Sequence, residues 1–189
     1  VECLRDGGLI IYPTDTVYGL GCDIFNKQAV ERVCQLKGVK LQKMNFSFIC
    51  SDLSNISDYT MNVSTPTYKL MKRCLPGPYT FILRANNAVP KLFKNNKKTV
   101  GIRVPDNPIT RTIVQELGHP ILTTSVHHED DIIDYITEPS AIFERYENLV
   151  DIVIDGGTGG YHPSTIIDCT EDEPIVVREG AGEVEDLFY

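Results

Sequence analysis

Two arginines sit where an isolated charge is costly. Arg103 lies in the apolar run Thr99-Val100-Gly101-Ile102-Arg103-Val104-Pro105, and Arg178 closes Pro174-Ile175-Val176-Val177. A guanidinium within or at the end of a buried strand requires an anionic partner. That partner is either a structural carboxylate or a ligand carboxylate or phosphate gripped by the planar fork. Three polar clusters adjoin apolar runs: Thr14-Asp15-Thr16 after Leu9-Ile10-Ile11-Tyr12, Thr123-Thr124-Ser125 after Ile121-Leu122, and Ser164-Thr165 before Ile166-Ile167. In open α/β sheets ligands bind in the crevices at strand ends. The stretch Tyr12-Pro13-Thr14-Asp15-Thr16-Val17-Tyr18-Gly19-Leu20-Gly21 carries more hydroxyls and glycines than a plain turn needs.

Several other chemistries lack their signatures. There is no G-x-S-x-G elbow for a serine nucleophile. The four histidines, at 119, 127, 128 and 162, show no H-E-x-x-H spacing. His127-His128 beside Glu129-Asp130-Asp131 reads as a solvated acidic loop, so no resident metal site is expected. The glycine stretch Asp155 to Thr165 lacks the lysine of G-x-x-x-x-G-K-[ST] and does not fit G-x-G-x-x-G. On spacing alone it is a flexible loop or a phosphate loop of another kind.

With 189 residues, 42% of them hydrophobic, the chain is long enough for one packed domain and too apolar for disorder. A single domain over residues 1–189 is expected. Its net charge of −8 opposes broad coating of nucleic acid, whose phosphates call for Lys and Arg. Local lysine clusters exist at Lys91, Lys94, Lys97 and Lys98 and at Lys37, Lys40 and Lys43; their plain reading is solvated surface. The six cysteines are dispersed without C-x-x-C spacing, as expected of small core hydrophobes in a reducing, cytoplasmic compartment. No apolar run approaches the ~20 residues of a membrane helix.

Hydrophobic periodicity supplies the elements that must position these groups. Strands are expected over Leu9–Tyr12, Gly19–Phe25, Phe46–Ser51, Tyr79–Arg84, Thr99–Val104, Pro120–Ser125, Asp151–Ile154, Ser164–Cys169 and Pro174–Arg178. A helix over Lys27–Lys37 presents Val30, Val33, Cys34 and Lys37 on one face. Thr65-Pro66 and Asn107-Pro108 each read as a cap followed by proline at the first helical position. The second of these helices is expected to bury Ile109, Ile113, Val114 and Leu117 before Gly118 ends it. A helix over Thr137–Asn148 and a short tail helix complete the reading. Helix–strand alternation followed by consecutive strands predicts an α/β fold with a mixed, twisted sheet flanked by helices.

Seven segments, in order, resemble the YrdC/YciO family: residues 12–21, Leu36 to Phe48, Pro76 to Leu83, Thr99 to Pro108, Pro120 to Ser125, Pro163 to Asp168 and Val177 to Gly182. The segment Met44 to Ser54 and the lack of a Ser-Ala-Asn tripeptide make the chain more similar to the YciO branch. The resemblance implies a large concave groove and synthesis of threonylcarbamoyl-AMP from L-threonine, bicarbonate and ATP, with release of pyrophosphate. That product feeds threonylcarbamoyl-adenosine modification of tRNA. It further implies that Thr16, Arg103, Thr123 and Ser164 hold threonine, with Arg103 on the carboxylate. Lys37, Asn45, Thr99, Ser125 and Arg178 would hold ATP, with Mg²⁺ accompanying it, and Lys37, Arg103 and Arg178 would act in catalysis. Carboxyl adenylation requires positioning and charge stabilisation rather than a nucleophilic triad.

Three positions depart from the family pattern: Val39 replaces the arginine after lysine-glycine, His127 the asparagine of the tripeptide, and Cys50 a histidine. All three are expected to alter the groove. Family members are also described as binding double-stranded RNA, so tRNA or double-stranded RNA are implied partners. The alternatives are a non-catalytic RNA- or nucleotide-binding module and an adenylating enzyme for a different small acid.

Overall fold

Alternation along the strands decides what each face of the sheet does. The computed structural model describes residues 1–40, 46–87, 89, 98–126, 135–185 and 187–188. Its strands are β1 (Ile10–Tyr12), β2 (Gly19–Asp23), β3 (Ser47–Ile49), β4 (Tyr79–Arg84), β5 (Thr99–Arg103), β6 (Ile121–Ser125), β7 (Ile152–Val153), β8 (Thr165–Asp168) and β9 (Ile175–Arg178). The helices are α1 (Glu2–Arg5), α2 (Lys27–Leu36), α3 (Thr65–Cys74), α4 (Pro108–Leu117) and α5 (Pro139–Tyr146). The strands form one mixed sheet in the order β7-β1-β2-β6-β3-β5-β4-β8-β9. Pairs β1–β7, β3–β5 and β4–β8 are parallel, and the remaining neighbours antiparallel.

Side chains of alternate residues point to opposite faces of a strand. Ile11, Leu20, Leu122, Phe48, Ile102, Phe81 and Ile167 share one face and build the main core. Helix α2 packs there through Ala29, Val30, Val33 and Cys34, α3 through Leu70, Met71 and Cys74, and α5 through Ile142 and Tyr146. The other face is divided. Ile10, Tyr12, Ile49 and Ile121 are covered by Val114 and Leu117 of α4 and by Leu4 of α1. Beyond α4 the same face mixes polar side chains with Ile82 and Ile166, and it lines a groove with a volume of about 970 Å³.

Local signals set the helix ends. Asn26 caps α2 by accepting from the Ala29 N–H, and Asn107 caps α4 by accepting from the Thr110 N–H. Gly118 closes α4 at φ 88°, the left-handed conformation that a Cβ disfavours. Several expectations need correction. Ser64, not Thr65, caps α3 and accepts from the Thr67 N–H. Ile109 is 38% exposed, because α4 buries Thr110, Val114 and Leu117 instead. Lys37 follows α2 as its C-cap rather than continuing its buried face. Helix α1 was not legible in its four residues, and no tail helix occurs among the described residues.

Candidate functional site

The groove floor is that second face of the sheet, over β3, β4, β5, β6 and β8. Ser47, Thr80, Thr99, Arg103, Thr123, Ser125 and Ser164 line it, and Arg178 of β9 stands at one wall. Strand pairing brings these distant segments together: Thr123 lies opposite Ser47, which lies opposite Gly101.

Arg103 organises the turn after β1. Its Nη2 donates to Thr14 Oγ1 at 3.1 Å, to Asp15 Oδ1 at 2.7 Å and to Thr16 Oγ1 at 2.7 Å. The Asp15 pair is nearly buried on both sides. The other oxygen of Asp15 accepts from the Asp106 N–H at 3.0 Å, tying the turn to the approach of α4. Thr14 Oγ1 also donates to the Val17 carbonyl and accepts from the Thr16 N–H. The structural carboxylate is therefore Asp15. It does not exhaust the guanidinium, because Arg103 Nε–H is buried with no hydrogen-bond partner among the described residues. A buried donor left unpaired is costly unless a ligand satisfies it.

The glycine stretch packs behind the turn that Arg103 organises. Gly160 N–H donates to the Thr16 carbonyl at 2.7 Å, Gly159 N–H to the Thr137 carbonyl at 2.8 Å, and Gly156 N–H to the Tyr18 hydroxyl at 3.1 Å. A Cβ on Gly160 would stand 2.8 Å from the Thr16 carbonyl oxygen, so glycine permits the approach. The stretch thus serves close packing against the turn.

One wall of the groove is built from Ser164 and Arg178. Arg178 donates to the Ser164 carbonyl from Nη2 at 2.7 Å and from Nε at 3.2 Å. Ser164 Oγ lies 2.8 Å from Thr80 Oγ1. Thr165, fully buried, donates through Oγ1 to the Gly182 carbonyl and accepts from the Gly180 and Gly182 N–H groups. This fixes the turn that follows Arg178. Partial burial lowers the Arg178 guanidinium from its ordinary value, with Tyr135 opposing and the like charge of Arg103 adding to the fall. The expectation of a buried strand around Arg178 is corrected: β9 is an exposed edge strand, with Ile175 62% and Val177 57% exposed, and Arg178 is itself exposed, so its charge needs no protein carboxylate there.

The remaining expected residues are placed as follows. Thr16 is buried behind Arg103 and serves it as an acceptor. Lys37 Nζ reaches the Ser125 carbonyl at 3.1 Å, at the groove side of β6. Val39 packs on the main core and carries no charge to the groove. Asn45 and His127 lie outside the described residues. Cys50 is corrected: it does not line the groove but a second cavity of about 470 Å³, with Tyr59, Arg111 and His119. Its N–H donates to the Arg103 carbonyl at 2.9 Å, so the main chain of β3 carries it past the groove floor. Among the described residues no His, Cys, Asp and Glu side chains gather as a metal site.

The chain matches the family described as "Sua5_yciO_yrdC: Telomere recombination" over residues 2–180. It belongs to the Sua5/YciO/YrdC family. "Uncharacterized protein YciO" of Escherichia coli K12 is 44% identical over 186 residues, covering 98% of this chain and 89% of the relative. The threonylcarbamoyl-AMP synthase of Coxiella burnetii (strain RSA 493) is 30% identical over 167 residues, 88% of each chain. The crystal structure of E. coli YciO superposes with a TM-score of 0.91 at 42% identity, covering all of this chain and 90% of that one. P. abyssi Sua5, crystallised with L-threonine, gives 0.86 at 28% identity over 95% of this chain and 52% of that chain. The family thus includes threonylcarbamoyl-AMP synthases, and the expected mixed sheet flanked by helices is the fold observed.

Sequence reasoning passed over Tyr12 and Thr80 and gave Asp15 and Thr165 no role. Asp15 had a signal, since it is the carboxylate in a polar turn and Arg103 needed an anion. The three hydroxyls had none, because their partners lie 111, 84 and 17 positions away.

Proposed function

We propose that the groove binds ATP and a small amino acid and forms a threonylcarbamoyl-type adenylate. The observation that carries this reading is the buried Nε–H of the groove-lining Arg103, a charged donor with no acceptor among the described residues. A carboxylate satisfies it, and Thr123 and Ser164 line the same groove. The threonine-bound relative supports threonine as that acid.

In the proposed reaction the threonine amine adds to bicarbonate, and water leaves to give the carbamate. A carbamate oxygen then attacks the α-phosphorus of ATP, and pyrophosphate departs with the electron pair of the broken bond. Arg103 fixes the carboxylate end, while Arg178 and Lys37 place cations at the phosphate end. Holding two reactants in line supplies most of the acceleration available to such a site. Mg²⁺ would enter as part of MgATP, held mainly by phosphate oxygens. Asp168 and Glu171 line the groove, and Glu171 is engaged by Arg84 at 2.9 Å.

Because Val39 offers no charge where the family has an arginine, turnover is expected to be slow. Removing one preorganised donor typically lowers turnover by about 10²–10³. The test is pyrophosphate release that requires both threonine and bicarbonate. ATP binding without threonine-dependent release would favour the non-catalytic nucleotide module, and release driven only by another acid would reassign the substrate.

A further inference from the structure

We infer that Tyr12, which does not itself line the groove, takes up one lone pair of the Thr123 hydroxyl and so directs its hydrogen into the groove. This rests on the proposed amino-acid site and adds a positioning residue to it.

The geometry begins with two glycines. Tyr12 crosses β2 beneath Gly19 and Gly21. A Cβ at position 19 would stand 2.8 Å from the Tyr12 ring, and one at position 21 would stand 2.9 Å from it and 2.6 Å from the Leu122 carbonyl oxygen. The paired glycines of the turn motif thus clear a slot for this ring. The ring is completely buried, with Ile10, Ile49, Ile121 and α4 around it. At the end of the slot the Tyr12 hydroxyl meets Thr123 Oγ1.

Only one polarity of that contact satisfies both groups. Among the described residues Tyr12 has no other hydrogen-bond partner for its hydroxyl. Were Thr123 to donate, the phenol hydrogen would be buried and unpaired. Tyr12 therefore donates, Thr123 accepts, and the remaining hydrogen of Thr123 faces away from the ring into the groove that Thr123 lines. Burial pushes the Tyr12 phenol far up from its ordinary value, against the bond to Thr123 and the charge of Arg103, so it stays a donor at neutral pH. Thr123 Oγ1 keeps one lone pair beside its hydrogen, whereas the buried Arg103 Nε–H, unpartnered among the described residues, is a donor alone. Together they favour an acceptor such as a carboxylate at this point of the groove.

Tyr12→Phe keeps the ring in its slot and removes only the donor. Titration calorimetry with L-threonine in the presence of ATP should show about fivefold to tenfold weaker threonine binding, with ATP affinity unchanged, since the effect passes through one oriented hydrogen bond. Thr123→Val should weaken threonine similarly, and the double variant should lose no more than Thr123→Val alone. Thr123→Ser, which restores the hydroxyl, should recover most of the affinity. Additive losses, or a Tyr12→Phe variant with wild-type threonine affinity, overturn the inference. The three-bond coupling between the Thr123 hydroxyl proton and its Hβ needs no ligand. It should report one hydroxyl rotamer in the wild type and averaging in Tyr12→Phe. If the wild type binds no threonine, the functional proposal fails and this coupling still decides the positioning claim, an unchanged value overturning it. If Tyr12→Phe does not fold, the wild-type Tyr12 hydroxyl proton decides: a slowly exchanging resonance beside the Thr123 methyl supports the inference, and rapid exchange overturns it.

Discussion

Replacing Arg103 separates its two duties, holding Asp15 and offering Nε–H to a ligand. Arg103→Ala leaves the Asp15 carboxylate, 11% exposed, with the Asp106 N–H and no cation. Breaking a buried pair in this way costs about 3–5 kcal/mol, and the surviving N–H argues for the lower end, about 3 kcal/mol. Arg103→Lys is different. An ammonium has three donors for the three oxygens that Nη2 now serves, so folding should lose only about 1 kcal/mol. The lysine has no second nitrogen at the Nε position, so a bound carboxylate loses a charged hydrogen bond worth about 1.5–3 kcal/mol. Threonine affinity should then fall roughly tenfold to a hundredfold. Urea unfolding gives the first quantity and calorimetric titration the second. The reasoning fails if the lysine variant unfolds as readily as the alanine variant yet binds threonine like the wild type. Arg103 would then be a structural ion pair and nothing more.

Saturating ATP at a hundredfold excess over its dissociation constant should stabilise the wild type by about 2.7 kcal/mol, and Arg178→Ala should remove most of that gain; equal gains in melting experiments would take Arg178 out of the site. Gly160→Ala drives a Cβ against the Thr16 carbonyl oxygen, a main-chain atom that cannot swing aside. It should cost about 1–3 kcal/mol and weaken threonine more than ATP, whereas unaltered threonine binding would show that packing of the turn on the glycine stretch does not shape the acid site. Burial, with Asp52 adding, holds the Cys50 thiol at about 12. The unfolded thiol ionises near its ordinary value of about 8.5, so the unfolded chain gives up this proton first as pH rises. Stability is whole below pH ~8.5 and falls by about 1.4 kcal/mol per pH unit from there toward ~12. Urea midpoints between pH 8 and 10 should therefore slope downward, less steeply in Cys50→Ala; an unchanged slope in that variant would contradict the burial of this thiol.

The strands were legible because apolar alternation is a local signal, and Tyr79–Arg84 was read to its ends. Helix starts were legible to within a residue wherever a capping side chain and a proline adjoin, as at Asn107-Pro108. Ile109 was misjudged because periodicity cannot say how wide the buried stripe of α4 is. That width depends on the sheet beneath it, where Ile10, Ile49 and Ile121 meet only one side of the helix. The family was legible from seven ordered segments. The placement of Cys50 was not, since one step along β3 moves a side chain to the opposite face.

By itself the sequence determined that Arg103 must have an anion, that a polar turn follows β1, and that a mixed α/β sheet carries both. These are properties of single residues and of short-range periodicity. Only the tertiary structure decided that the anion is Asp15, that Nε–H is left over, and that Tyr12 meets Thr123 through the slot beneath Gly19 and Gly21. Each of these depends on strand order, which sets β2 beside β6 and β3 beside β5. Strand order is fixed by burial of both faces of the sheet at once, a sum over the whole chain that no local window contains.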